Sequence, residues 1–303
     1  MQTDFDSFKQ WLTDHDYADL TTQSYLGSLK LFATWFEKEN GEELSPSKLT
    51  PTDLRNYREH LSRKQHRAPA TVNRQLAGLG TYCKWAVKEH LIEANPSANI
   101  HGLSKTRLAP HWLERKQRFA LQRVIEREWQ QTSQMSTRRS VWRRRDLCIV
   151  MSLLHLGLRV AELTGITLPD LTLGERSGKL EVHGKGARER TLPINVEARK
   201  YLREWLDIRP DVSSESLFVS QLGETLTTRS VQRLVADIGH LAKIAELTPH
   251  VLRHTFAKKL AENKVSIDRI ATLLGHSSVD TTRIYVLPSL NDLAQDVEGL
   301  VDQ

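Results

Sequence analysis

The chain has 303 residues, 39% of them hydrophobic and 26% charged, and carries a net charge of +6. That length suits two domains, each large enough for its own core, and the ordinary apolar content excludes a disordered or fibrous chain. No apolar run approaches the roughly 18 residues that cross a bilayer. Residues 1–19 are acidic, without a basic-then-apolar leader pattern. Cys83 and Cys148 lie far apart, each in an apolar helical stretch and neither with a C-x-x-C partner. The expectation is a cytoplasmic protein with buried thiols in a reducing compartment, no disulfide, no metal and no membrane partner.

The charge is unevenly placed. Residues 1–106 hold 13 basic and 13 acidic side chains, whereas residues 107–145 hold 11 basic against 3 acidic. A block of that kind suggests a polyanion, most naturally nucleic acid, with a solvated helix face as the alternative. Its densest run, Arg143, Arg144 and Arg145, is expected to track phosphates.

Residues 1–100 read as a helical bundle. Phe5, Phe8, Trp11 and Leu12 recur at helical spacing, as do Tyr25, Leu29, Phe32 and Phe36. Thr50-Pro51 places an N-cap threonine before an N1 proline and opens a helix carrying Leu54, Tyr57 and Leu61. A fourth helix spans 71–89, with Asn95-Pro96 as its stop. Its first turn, Thr71, Asn73 and Arg74, is assigned to DNA contact. Residues 101–110, with Gly102 and Pro110 and no periodicity, read as a linker, leaving 111–303 as the second domain. There Leu121, Val124 and Ile125 mark a helix, and 146–156 mark another closed by Gly157. The pattern changes over 168–194: strands over 179–183 and 188–194 flank Gly184-Lys185-Gly186 as a β-hairpin. Helices then resume near 196–206 and 228–245 and dominate to the end. The fold class is mainly α with a small antiparallel β-sheet.

The chemistry-bearing residues cluster late. Thr248-Pro249 is an N-cap followed by an N1 proline, so His250 and Arg253 share the first turns of a helix, whose N-terminus favours anions. His276 follows a helix stop at Gly275, and Tyr285 follows a short polar turn. Upstream, Arg159 follows Gly157, with Glu162 three residues on and placed to aim the guanidinium; an i,i+3 surface pair is the alternative. Arginine suits phosphate because its planar fork binds two oxygens. A phenol titrates near 10, and adjacent arginines are expected to lower that value. His254 neighbours the His250 face and reads as structural. His250 and His254 have the i,i+4 spacing of a zinc-hydrolase helix, but Val251 stands where that motif needs glutamate. The glycines around Lys185 lack the spacing and hydroxyl of a nucleotide loop.

The ordered set Arg159, Lys185, His250, Arg253, His276 and Tyr285 resembles the tyrosine recombinase (phage integrase) family, of Xer or transposon type, over most of the chain. The resemblance implies a helical, SAM-like core-binding domain and an α+β catalytic domain. It implies Tyr285 as the nucleophile of a 3′-phosphotyrosine, Arg159, Arg253, His250 and His276 as phosphate ligands, His250 as a proton acceptor and Lys185 as the general acid, with no cofactor. It further implies double-stranded DNA with an inverted-repeat core site, a dimer on one site, a homotetramer in synapsis, and a C-terminal helix docked on a neighbouring protomer. The stripe Leu290, Leu293, Val297, Leu300 and Val301 fits such a helix, and docking in cis is the alternative. Val286-Leu287-Pro288 lacks the threonine-histidine that follows the tyrosine in Xer-type resolvases, so a transposon, plasmid or compact phage enzyme fits as well. A type IB topoisomerase-like nicking enzyme and a silent DNA-binding protein are the competing readings.

Overall fold

The structure, a computed structural model, describes residues 2–104, 110–135, 137–184, 189–276 and 279–286. The chain divides into two compact units, Met1–Leu108 and Ala109–Gln303.

In the first unit, α1 (Gln2–Asp14), α2 (Asp19–Asn40), α3 (Pro51–Glu59) and α4 (Pro69–Lys88) enclose a core of aromatic and leucine side chains. Phe8, Leu12, Leu29, Phe32 and Phe36, picked out by their spacing, are all buried there. Thr50 caps α3 through a reciprocal capping box with Asp53, which satisfies two orphan donors at once. Gly78 lets α4 approach α2: a Cβ there would lie 3.2 Å from Ser28 and 3.3 Å from Tyr25.

The fourth helix ends at Lys88, well before Asn95-Pro96. His90 takes a left-handed φ of 56°, and the Leu91 N–H returns to the Ala86 carbonyl at 2.8 Å. The helix is closed by this local turn, and Asn95 instead accepts from the Ser97 N–H at 2.8 Å. Residues 100–103 are not a free tether, because Ile100 and Leu103 pack on the first core. Asn73 fixes them by donating to the Leu103 carbonyl at 2.8 Å and accepting from its N–H at 2.7 Å. The amide expected to meet DNA is committed to the protein's own backbone. Arg74 is exposed and Thr71 half-buried on the same helix.

The second unit contains α5 (Arg115–Ser133), α6 (Arg138–Leu156), α7 (Val160–Gly165), β1 (Leu171–Leu173), β2 (Gly178–His183), β3 (Glu189–Pro193), α8 (Val196–Leu206), α9 (Thr228–Leu241), α10 (Pro249–Glu262), α11 (Ile267–Leu274) and α12 (Arg283–Val286). The strands form an antiparallel sheet in the order β1-β2-β3. Leu180 faces Leu192 and Val182 faces Arg190 across β2 and β3. Leu180, Val182 and Leu192 are buried, so the face that carries them, and Arg190 with them, looks inward. The three-residue β1 is too short to leave a periodic signal. Cys83 and Cys148 are free and buried. Among the described residues no helix is long and apolar enough to cross a membrane.

Helix α6 begins at Arg138, far earlier than the apolar run from 146 suggests, because Thr137 caps it with Ser140. The arginine run therefore lies inside a core helix, and its charges are used internally. Arg143 pairs with Glu128 at 3.1 Å. Arg144 pairs with Glu204 at 3.1 Å and lies over the Trp129 ring at 4.9 Å. Arg145 is buried, donating to the Val219 carbonyl at 2.7 Å and pairing with Asp146 at 2.6 Å. All three side chains are engaged within the protein, on a helix packed against α5, α8, α9 and α10. Replacing Arg145 with alanine should lower unfolding stability by about 3–5 kcal/mol, because it strands a half-buried carboxylate. Urea unfolding checks this: the midpoint should fall with the slope unchanged.

Candidate active site

The site is assembled from helix ends. Gly157 closes α6 with a left-handed φ of 63°, and a Cβ there would lie 2.3 Å from the Phe256 ring. The chain turns at once into Arg159, the residue before α7. In the first turn of α7, Glu162 bonds back to Arg159, accepting from its N–H at 2.7 Å and from its guanidinium at 2.7 Å. The sequence expectation that Glu162 aims Arg159 matches this geometry.

Glu162 does more than aim one arginine. Arg190 on β3 meets both of its oxygens in a fork, each at 2.9 Å, and Arg253 on α10 approaches to 3.7 Å. One carboxylate is surrounded by three guanidinium groups. Burial by itself would raise the Glu162 pKa, but hydrogen bonds from Arg190 and from the Arg159 backbone prevail and hold it at about 2. One negative charge against three positive ones leaves the cluster cationic.

The same three arginines gather the C-terminal carbonyls of α11. Arg190 donates to Leu273 at 3.1 Å, Arg253 to Leu274 at 2.6 Å and Arg159 to Gly275 at 3.1 Å. Helix C-termini leave these acceptors unpaired and partly negative, so cations seat there well. Arg253 also donates to the Gly157 carbonyl at 2.7 Å, which ties the end of α6 to the end of α11. Burial, then the neighbouring Arg159, lowers the Arg253 pKa to about 10, which keeps it charged at neutral pH. Side-chain exposure separates the roles: 42% for Arg159, 13% for Arg190 and 5% for Arg253. Arg159 is the guanidinium that opens to the outside.

It opens into a cleft of about 900 Å³ lined by Arg159, Glu162, His183, Glu189, Arg190 and His276, among others. His276 follows Gly275, whose φ of 63° turns the chain out of α11, and is linked through Nδ1 to the buried Thr282 hydroxyl at 2.8 Å. Burial and then Arg253 and Arg159 push its pKa down to about 4, so the ring is neutral at pH 7. His183, at the end of β2, lies between Asp170 at 3.0 Å and Glu189 at 3.1 Å. Hydrogen bonds to those carboxylates raise its pKa.

Tyr285 on α12 is buried among Ala257, Ile270 and Leu274. The expected help from neighbouring cations is overridden: Arg253 pulls the phenol's pKa down, but burial outweighs it and the net direction is upward. Its hydroxyl is hydrogen-bonded to His254 Nδ1. His250, one turn earlier on α10, is exposed, with its ring 6.4 Å from that of His254. The structure thus brings Arg159, Arg253, His276 and Tyr285 into one neighbourhood and adds Arg190 and His254 to them. Lys185 lies outside the described residues. Arg190 had a legible signal, since strand alternation groups it with Leu192 and Ile194, and an arginine on an apolar face demands a partner. The contact of His254 with Tyr285 had none, because the two are far apart in sequence. Among the described residues no group of three or more metal-ligating side chains is present.

Arginines held by a carboxylate over a cleft, with a tyrosine from the last described helix beside them, define an anion-binding class of site. Comparison with known proteins gives the chain its family. The phage integrase family profile matches residues 123–290, and that of the phage integrase N-terminal SAM-like domain matches residues 5–93. The tyrosine recombinase XerC of Pelobacter propionicus is 29% identical over 285 residues, covering 93% of this chain and 89% of its own. XerC of Corynebacterium glutamicum is 34% identical over 218 residues, covering 71% of this chain and 67% of its own. In fold, the XerH site-specific recombinase bound to palindromic difH substrate superposes with a TM-score of 0.75 at 21% identity, covering 92% of this chain and 79% of that one. The chain belongs to the phage integrase family. Its enzyme class is tyrosine-type site-specific recombinase.

The Glu162 carboxylate is depressed from an ordinary value of 4.5, so its stabilising contribution is present above that pH and is lost as pH falls toward about 2. Glu162→Gln should cost roughly 3–5 kcal/mol at neutral pH by stranding the arginines. The gap to wild type should narrow between pH 4.5 and 2, as the wild-type carboxyl protonates. Urea midpoints measured across that window check the sign.

Proposed function

We propose that this recombinase cuts and rejoins duplex DNA through a 3′-phosphotyrosine on Tyr285, integrating, excising or resolving a mobile element or replicon. The observation that carries the reading is the three-arginine cluster around Glu162, a net cationic seat beside a buried phenol. A phosphodiester carries one negative charge and gains more on its non-bridging oxygens in the transition state, and preorganised donors stabilise that charge. Arg159, open to the cleft, is the first ligand for those oxygens, and His276, which lines the same cleft, supplies a neutral donor. Arg253 contributes charge from behind and holds the helix ends that carry both. Lys185, between β2 and β3, supplies the proton to the leaving 5′-oxygen. His250, exposed at the start of α10, meets the DNA side of the phosphate. Phosphotyrosine retains the bond energy for rejoining, so the reaction needs neither nucleotide nor metal.

The relatives support the wider assembly. A solved lambda integrase is a dimer bound to a COC′ core site, and the XerH complex holds a palindromic substrate. By analogy two copies of this chain occupy an inverted repeat, with residues 1–100 gripping the duplex through faces that include Thr71 and Arg74, and two such dimers form the synapse. The stripe Leu290, Leu293, Val297, Leu300 and Val301 lies outside the described residues and is assigned to docking on a neighbouring protomer. The relatives carry Xer names, while Val286-Leu287-Pro288 departs from the Xer pattern after the tyrosine, which leaves a mobile-element role beside chromosome resolution.

Wild-type protein incubated with a nicked suicide duplex should yield a covalent protein–DNA adduct on denaturing gels, in EDTA as well as without it. Tyr285→Phe should bind the same duplex and give no adduct. An adduct in the mutant, or a requirement for added metal, contradicts the reading. Deleting residues 290–303 should spare half-site binding and melting temperature while abolishing recombination between two sites. A lowered melting temperature with lost half-site binding points instead to docking in cis.

A further inference from the structure

The nucleophile must give up a proton, and the residue in contact with that proton is not the exposed His250. Among the described residues the Tyr285 hydroxyl is hydrogen-bonded to His254 Nδ1, and the two rings lie 5.6 Å apart between centroids. We propose that His254 is the catalytic base that takes the phenol proton as Tyr285 attacks. The proposal rests on the phosphotyrosine reading and assigns one step of it to a new residue.

Geometry comes first. A general base must sit within hydrogen-bond reach of the proton it removes, and His254 does so on a rigid element, the second turn of α10. Its ring is half-buried, whereas His250 is exposed. The charge state agrees. Burial, then His250, Arg253 and His111, push the His254 pKa down to about 4, so the imidazole is neutral at pH 7 with one nitrogen free to accept. Burial keeps the phenol protonated in the resting protein, so the hydroxyl has a proton to donate. His276 and Arg253 also face this pair, from the turn after α11 and from α10. A bound phosphodiester anion makes His254 more basic by the same Coulomb logic that the cations use to make it less so. Basicity therefore rises when substrate arrives.

The step balances. The Tyr285 oxygen forms its bond to phosphorus while its proton passes to His254 Nδ1. The bond from phosphorus to the 5′-oxygen breaks, and that oxygen takes a proton from Lys185. On rejoining, the 5′-hydroxyl attacks phosphorus and gives its proton back to Lys185, the phosphotyrosine bond breaks, and His254 returns its proton to the phenol.

The test is the pH dependence of single-turnover adduct formation on a suicide duplex between pH 6 and 8.5. Wild type should be nearly flat, because its base is already neutral. His254→Gln keeps a hydrogen-bonding side chain of similar reach without a base, and should be slower by about 10²–10³ at pH 7. Its rate should climb about tenfold per pH unit as hydroxide substitutes. His254→Ala should be partly rescued by added imidazole, and His250→Gln should stay flat. A near wild-type rate in His254→Gln, a loss of equal size at every pH, or a pH slope appearing in His250→Gln instead would overturn the proposal. Gel shifts and melting temperature establish that each variant folds and binds DNA. If wild type itself forms no adduct on Tyr285, the phosphotyrosine reading has failed, not the choice of base.

Discussion

A single carboxylate, that of Glu162, holds three guanidinium groups in one small volume, and the site is organised around it. Like charges at that density repel. Arg159, Arg190 and Arg253 can share the space because each is bonded to the carboxylate or lies close to it, and each also donates to a backbone carbonyl. The arrangement neutralises only part of the positive charge, and the remainder suits a phosphate. Binding energy for an anion is thus built in before the anion arrives, which is the preorganisation that electrostatic catalysis requires.

The cluster also explains why the surrounding backbone turns where it does. Three carbonyls at the end of α11 and one at the end of α6 are its acceptors, so the arginines act as caps that join two helix termini. Gly157 and Gly275 are needed for these turns, both with φ of 63°. At Gly275 a Cβ would lie 2.6 Å from the Arg190 guanidinium, and at Gly157 it would strike Phe256. Site and fold are the same contacts seen from two sides: loss of an arginine frees a helix end, and a bulkier turn displaces an arginine.

The Tyr285 phenol is kept under opposite influences. Burial among Ala257, Ile270 and Leu274 favours the neutral phenol, and Arg253 favours the phenolate. With burial dominant, Tyr285 rests protonated and unreactive. The same low-polarity surroundings hold His254 and His276 neutral. In the proposed reaction a phosphate entering the cationic cleft shifts that balance toward the charged imidazoles, so reactivity would be coupled to substrate through charge.

Much of this was legible in the sequence wherever the signal lay within one or two helical turns. The caps Thr50, Thr137 and Thr248 and the stops Gly157 and Gly275 are local, and four of them were readable as written; Thr137 was missed because arginines mask the start of α6. Glu162 could be paired with Arg159 because they stand three residues apart, and the order of Arg159, Lys185, His250, Arg253, His276 and Tyr285 was enough to suggest the family. Tertiary structure decided the rest. The pairing of Arg143, Arg144 and Arg145 with Glu128, Glu204 and Asp146 shows only in the structure. Asn73 looks like a contact residue until it closes on Leu103. Arg190 reaches Glu162, and His254 reaches Tyr285, across separations that no periodicity encodes. A cap or a turn is set by the backbone geometry of neighbouring residues, whereas the partner of a charge depends on which distant elements the core brings within a few ångströms.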